Sequence, residues 1–561
     1  MFVKQFSFGF VCALLLASGA GCKKEATPVE QPQPVVASNQ KSKIKNQESS
    51  PILRIHWLGK KRLATETNAA YFMTIWNLPE SGRLETQTLD KLALWLAGYH
   101  PALSNYQEIT NYSTPVTNNA TASTLRPLVQ DLLQEEWLLE IHQPTNQPAE
   151  LALAIRLDDQ RTAAWQAAQS TLRDALGTLR HTPCALTLTN SGSWTLLDLT
   201  ESPGTDSQIS TFNAQLAATG NPFPTSPTNH WLEADVDLLK LSGVWPFLAS
   251  FNHQLSTNWP TINFQVLGDG ENVRTHAELE FPQPLNFDLD PWNIPTNLIH
   301  DPLIGFTAIR GIRPLLKSFK AWNDLQLGTT PNQAFFWALA GMPALEYGAA
   351  PLVDPSNVVH KAADRISQAA NPWLAANGMG NLARATNFTG LVWKGAPFIE
   401  PELRSVVDKS GGFMVAGLIP AGGTNRPPPP ELFQSVLSRT NLVFYDWELT
   451  APRLEQWLYL GQLFRLIAHK AQLPPLSTGL QMLKAARPRF GNCVTVTTAT
   501  DPNHLSLVRR SSLGFNAIEL HLLADWLESP EFPRGLHTLL APSPSPPSQR
   551  PGTGPSSSLP K

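Results

Sequence analysis

Residues 261–281 read TINFQVLGDGENVRTHAELEF. Ile262, Phe264 and Val266 alternate with Asn263 and Gln265. After Gly268-Asp269-Gly270, the residues Val273, Ala277, Leu279 and Phe281 return on one face and Arg274, His276, Glu278 and Glu280 on the other. A period of two marks strands with one buried face, and the Gly-Asp-Gly group between them marks a tight turn. This is a β-hairpin, apolar on one side and polar on the other. Just upstream, residues 231–237 (WLEADVD) alternate in the same way, and residues 238–253 can be helical. The unit is strand, helix, hairpin.

The same order recurs on either side. Residues 137–142 and 151–156 read as strands. A helix follows with Asp158 or Asp159 as N-cap, placing Trp165, Ala168, Leu172, Ala175 and Leu179 on one face. A hairpin at 185–189 and 194–199, turned at Asn190-Ser191-Gly192, closes this copy. A later copy has a strand at 442–449, a helix capped by Thr450 with Pro452 in its first turn, and a second helix at 478–486. Strands at 494–498 and 505–509 and a helix from Asn516 to about residue 527 complete it. Residues 303–420 form a looser version, with a buried strand at 303–309, helices at 312–322 and 357–367, and strands at 388–393 and 412–418. Residues 63–74 and 86–97 read as a helical pair leading into 125–133. Cys184 shares parity with Leu186 and Leu188, whereas Cys493 lies opposite Val494 and Val496, so the likeness is one of element order. The expected class is α+β: several sequential strand–helix–β-hairpin modules, with mixed or antiparallel sheets packed on helices.

The N-terminus carries an address. Lys4 precedes an apolar run, Phe8 to Ala17, which is followed by Ser18-Gly19-Ala20-Gly21-Cys22. A charged start, a short apolar core and small residues make an export signal. The run is about ten residues, against the roughly 20 of a membrane-spanning helix. Its ending resembles the lipobox of bacterial lipoproteins, in which a cysteine after small residues is acylated and becomes the new N-terminus. Ala20 and Gly21 match that pattern, and Gly19 stands where an aliphatic residue is usual. The resemblance implies lipidation at Cys22, a membrane partner through that anchor, and residence on the extracytoplasmic side of a bacterial envelope, in the periplasm or at the outer membrane. Cleavage nearby without acylation is the alternative and leaves a secreted protein.

These readings divide the chain into a signal peptide (1–22), a disordered tether (23–50), an N-terminal helical segment (51–136), two α+β modules (137–285), a looser α+β module (286–426), a C-terminal α+β module (427–540, opened by the prolines 427–430) and a Pro- and Ser-rich tail (541–561). The tether has no aromatic residue and reaches on the order of 30 Å as a flexible coil. The chain is 42% hydrophobic with a net charge of −3, enough for sizeable cores and without the basic face that nucleic acid demands. Cys184 and Cys493 are the only cysteines beyond Cys22 and read as two separate thiols.

Chemistry is sparsely signalled. The chain has no G-x-S-x-G, H-E-x-x-H, P-loop or C-x-x-C motif. Ser42-Lys43-Ile44-Lys45 fits S-x-x-K but lies in the tether. Gly378-Met379-Gly380-Asn381-Leu382-Ala383 fits a loose dinucleotide fingerprint without a strand before it, and reads as a helix C-cap and turn. Asn286, Asp288 and Asp290 alternate as calcium ligands can, but lack the glycine of a calcium loop and read as an exposed strand edge. His300-Asp301 reads as a turn before a buried strand. His56 falls in a strand and His276 on a polar strand face, neither at ligand spacing from another histidine. Glu135-Glu136 and Asp158-Asp159 are adjacent, so their side chains diverge. Trp259, Trp292 and Trp373 lie in loops and are candidates for surface contacts. No catalytic, cofactor or metal residue is assigned. The expected role is binding or scaffolding toward an envelope protein or glycan. A hydrolase built from scattered carboxylates and a carrier of an apolar ligand remain as alternatives.

Overall fold

A computed structural model describes residues 51–99, 119–143, 149–180, 183–200, 230–244, 258–341, 345–376, 378–395, 400–418, 426–467, 477–529 and 532–533. Cys22, the tether with Ser42 and Lys45, and the C-terminal tail lie outside these residues.

In chain order the strands are β1 (Leu53–Trp57), β2 (Trp137–His142), β3 (Glu150–Arg156), β4 (Ala185–Ser191), β5 (Trp194–Thr200), β6 (Leu232–Asp237), β7 (Thr261–Asp269), β8 (Asn272–Glu280) and β9 (Leu303–Arg310). They continue with β10 (Gln333–Leu339), β11 (Leu345–Pro351), β12 (Asn381–Arg384), β13 (Gly390–Lys394), β14 (Glu402–Asp408), β15 (Gly411–Gly417), β16 (Leu442–Leu449), β17 (Asn492–Asp501) and β18 (His504–Ser511). Among the described residues all 18 strands join one open sheet. Every neighbouring pair is antiparallel, in the order β12-β13-β14-β15-β11-β10-β9-β16-β17-β18-β8-β7-β6-β1-β2-β3-β5-β4.

The helices are α1 (Lys60–Leu63), α2 (Ala70–Trp76), α3 (Pro79–Leu96), α4 (Ala120–Gln134), α5 (Asp159–Arg180), α6 (Leu238–Val244), α7 (Arg313–Ser318), α8 (Lys320–Asp324), α9 (Pro355–Ala376), α10 (Pro430–Leu437), α11 (Thr450–Ile467), α12 (Thr478–Ala486) and α13 (Ala517–Glu528). Most pack on one face of the sheet. Trp165, Ala168 and Leu172 of α5 meet Leu153, Leu186 and Leu197. Leu238 and Leu241 of α6 meet Ile262, Phe264 and Ala277, the apolar row of the 261–281 hairpin. Val358 and Ala362 of α9 meet Leu403 and Met414. The opposite face is apolar over β9, β10, β11, β15 and β16, where Phe306, Phe335, Phe413 and Tyr445 are covered by Phe433 and Val436 of α10 and by Ile294 and Ile299, and again over β2, β3 and β5, where Leu138, Ala152, Ala154, Trp194 and Leu196 are buried together. Between these two apolar patches, from β18 to β1, that face is largely polar.

The α+β class with antiparallel pairing and helices on the sheet is as expected, but the sheet is one. Pairings β1–β6, β8–β18 and β9–β16 link segments far apart in sequence. Several elements match their expected ends closely: α12 spans Thr478–Ala486, β16 spans Leu442–Leu449, and Asn516 caps α13 in a capping box with Glu519. Asp158 is the cap of α5, its Oδ1 accepting the Arg161 N–H at 2.8 Å. The hairpin turn sits further on than expected. Asp269 pairs with Asn272, so Gly270 and Glu271 make the turn and Gly268 belongs to β7. Gly268 answers a different need, since a Cβ there would lie 2.1 Å from the Asn68 carbonyl oxygen. The segment 286–290 is no strand edge but an irregular connector.

Candidate functional site

The polar face of the 261–281 hairpin continues in register across its neighbours. One row across the sheet runs Ser506, Glu278, Asn263, Asp235, Arg54, Glu140. The next runs Val508, His276, Gln265, Glu233, His56, Leu138. Strands about 4.8 Å apart set the spacing along each row. Within and between the rows donors face acceptors. Ser506 Oγ donates to Glu278 Oε1 at 2.6 Å, Asn263 Nδ2 donates to Asp235 Oδ1 at 2.6 Å, and Gln265 Nε2 donates to Asn263 Oδ1 at 3.2 Å. Arg54 Nε lies 3.2 Å from Glu140 Oε1. Thr261, Asn263, Asp235, Arg274 and Glu280 are exposed. The centre of this plate is open and richer in carboxylates than in cations.

Toward β1 and β2 the plate becomes buried and its charges interlock. Glu136 receives Arg62 Nη1 at 3.0 Å, Arg156 Nη1 at 3.1 Å and His56 Nε2 at 3.3 Å. Burial works to raise the Glu136 carboxyl, but His56, Arg62 and Arg156 outweigh it and hold it below the usual range. Burial likewise opposes charge on His56, but Glu136 and Glu233 prevail and raise it. Glu135 points elsewhere, to Lys61, so the adjacent pair diverges as expected. His142 Nε2 meets Glu140 Oε2 at 3.0 Å.

Ser506, His276 and Glu278 bring together the residue types of a hydrolytic triad, which the sequence alone did not. Their geometry is not that of one. Glu278 lies 2.8 Å and Ser506 3.4 Å from the same ring nitrogen, Nε2, whereas a triad needs its partners on opposite nitrogens. The Ser506 hydroxyl is hydrogen-bonded to the carboxylate instead.

A second charged group, also unmarked in the sequence reading, lies under the helices. Asp446 and Glu448 share the helix-covered face of β16. Thr307 Oγ1 donates to Asp446 at 2.6 Å, the Ala517 N–H donates to Glu448 Oε1 at 2.7 Å, and Arg509 reaches Glu519 Oε1 at 3.1 Å and Thr495 Oγ1 at 2.8 Å. Arg453 of α11 pairs with Glu346 and Gln456. Burial raises Glu448 to about 7, with the neighbouring Asp446 adding to the effect. Helices α11 and α13 close over the cluster, so it docks helices to the sheet and is shut to a substrate. Lys91 of α3 donates to the Leu527 and Ser529 carbonyls at the C-terminal end of α13 at 2.8 and 3.2 Å, and burial lowers it to about 7. Its amine thus takes up carbonyls that the end of the helix leaves without a partner.

The remaining sequence candidates resolve as structure. Gly378 and Gly380, at φ 64° and 74°, end α9 and lead into a strand, not the helix a dinucleotide site needs. Asp288 is held by Arg313 at 2.7 Å and Asp290 by Asn332 at 2.8 Å and Gln333 at 3.1 Å, so their oxygens already have donors. Asp301 Oδ1 accepts the Leu303 N–H at 3.4 Å, as a turn residue does. Trp292 packs on the core with Arg310 over its ring at 4.5 Å, Trp259 packs against the core beside α6, and Trp373 lies in α9, 57% exposed. Cys184 and Cys493 form no disulfide. Among the described residues no three His, Cys, Asp or Glu side chains are grouped to hold a metal, and no helix is long and apolar enough to cross a membrane. Comparison with known protein families, characterised proteins and solved structures finds no match to this chain.

Proposed function

We propose that this chain is an exported, lipid-anchored protein of the bacterial envelope that binds a hydroxyl-rich partner, a glycan of that compartment, on the open polar face of its sheet. The address rests on Lys4, the apolar run from Phe8 and the small residues before Cys22. The repeated strand–helix–hairpin order supports sequential modules that extend a single sheet and widen its face.

One observation carries the binding reading: the row Ser506, Glu278, Asn263, Asp235, exposed at its centre and lying across four adjacent strands. Carboxylates and amides offer paired acceptors and donors to vicinal hydroxyls, and a hydrogen bond to a charged group contributes about 1.5–3 kcal/mol. A partner that runs along the row meets several such groups in succession.

The test is co-sedimentation of the purified mature chain with insoluble peptidoglycan. Asp235→Ala with Asn263→Ala should weaken retention about tenfold, equivalent to about 1.4 kcal/mol. Equal retention of the two proteins contradicts the site. The anchor is tested separately: Cys22→Ala should move the protein from the membrane to the soluble fraction, and an unacylated terminus in the wild type contradicts it.

A further inference from the structure

The two ends of the sheet are built differently. At one end β12 has only four residues, and α9 closes it. The Asn371 side chain takes both outward groups of Leu382, Oδ1 accepting its N–H at 2.7 Å and Nδ2 donating to its carbonyl at 3.0 Å. Arg384, bound to Asp364 at 2.5 Å, adds a charge beside it. A blocked, short and charged edge is the usual defence against strand addition.

At the other end β4, ALTLTNS, has seven residues, no charge and no proline. The two-residue turn at Gly192 and Ser193 makes Ser191 and Trp194 a hydrogen-bonded pair. The alternation then turns the backbone groups of Thr189 and Thr187 toward β5, and those of Asn190, Leu188 and Leu186 outward. Among the described residues, the outward group that is held is the Leu186 carbonyl, which accepts from Gln169 Nε2 at 2.8 Å. Thr187, Thr189 and Asn190 are exposed.

We infer that β4 is an interaction edge, and that its partner is a second copy of this chain, paired antiparallel about a twofold axis through Leu188. The sequence is self-complementary in that register. Leu188 pairs with Leu188 of the second copy through its backbone N–H and carbonyl, and the Leu186 N–H meets the Asn190 carbonyl, the Leu186 carbonyl staying with Gln169. Thr187 meets Thr189 on the exposed face, a favourable cross-strand pair. No charge opposes its like. The joint repeats the antiparallel pattern of every existing pair, and it extends the apolar row that Leu186 and Leu188 present to α5. A twofold joint of this kind closes, so the blocked edge at β12 leaves a dimer and no fibre.

Disulfide trapping tests it. In the full chain with Cys184→Ser, the pair Thr187→Cys and Thr189→Cys should give a species of doubled mass on mild oxidation. The pair Asn381→Cys and Ala383→Cys, on the blocked edge, should not. Light scattering should find wild type as a dimer, and Thr187→Lys with Thr189→Lys as a monomer of unchanged circular dichroism. A wild type monomeric at every concentration, or equal trapping at both edges, overturns the inference.

Discussion

The Glu448 carboxylate accepts the backbone N–H of Ala517 at 2.7 Å, joining the middle of the sheet to the first residue of its last helix. The bond sits inside the cluster of Asp446, Arg453, Arg509 and Glu519, so the helix is docked through charge as well as apolar contact. Buried charge of this kind makes stability depend on pH.

Glu448 titrates at about 7 when folded, against an ordinary carboxylate value of 4.5. Between those values the folded chain holds a proton that the unfolded chain has lost. Its contribution to stability therefore falls as pH rises through that window, and the penalty is complete above about 7. Glu448→Gln keeps an acceptor for Ala517 and removes the titration. It should be more stable than wild type at pH 8, by on the order of 3 kcal/mol, with the difference closing toward pH 4.5. Urea unfolding across that range measures it.

Arg509 supplies the positive charge between Glu519 and Asp446, and with Glu519 it forms a buried pair. Arg509→Met should cost about 3–5 kcal/mol, because it leaves a buried carboxylate unpaired. Adding Glu519→Gln, which preserves the capping box, should recover part of that loss. A double variant as unstable as the sum of the singles would show that the two do not interact.

Gly268 and Gly270 stand two residues apart and serve different ends. A Cβ at Gly268 meets Asn68 and Trp231 at 2.1 and 2.4 Å, whereas Gly270 faces open space at φ 66°. Gly268→Ala should cost about 1–3 kcal/mol through overpacking, and Gly270→Ala about 1 kcal/mol through backbone strain. Thermal unfolding ranks them.

Cys493 is fully buried, and burial pushes its thiol well above its ordinary value; Cys184 is half-buried near the surface. A thiol reagent should modify Cys184 in the native chain and reach Cys493 only on unfolding.

Legibility followed locality. The 261–281 hairpin was readable because period-two alternation is written in adjacent residues. So were β16 and α13, the latter from its start at Asn516. The strands β10 (QAFFWAL), β11 (LEYGAAP), β12 and β14 were not read out: the first is nearly all apolar, and the second mixes Gly, Ala and Pro. The insertion of β1 between β2 and β6 was also hidden, because backbone pairing leaves no mark on side-chain identity. The polar plate had the same fate. Asn263 and Glu278 were visible as polar positions, but their alignment with Asp235 and Ser506 depends on register between distant strands. Asp446 and Glu448 did leave a trace, as acids at alternate positions in an otherwise apolar strand.

The most direct test of the proposed binding face is carboxyl footprinting of the mature chain with and without solubilised peptidoglycan fragments. Asp235 and Glu278 should be labelled by a carbodiimide and amine in the free protein and protected when the glycan is present, while Asp174, exposed on α5 away from the plate, stays equally reactive. Unchanged labelling of Asp235 and Glu278 at saturating glycan would contradict the account.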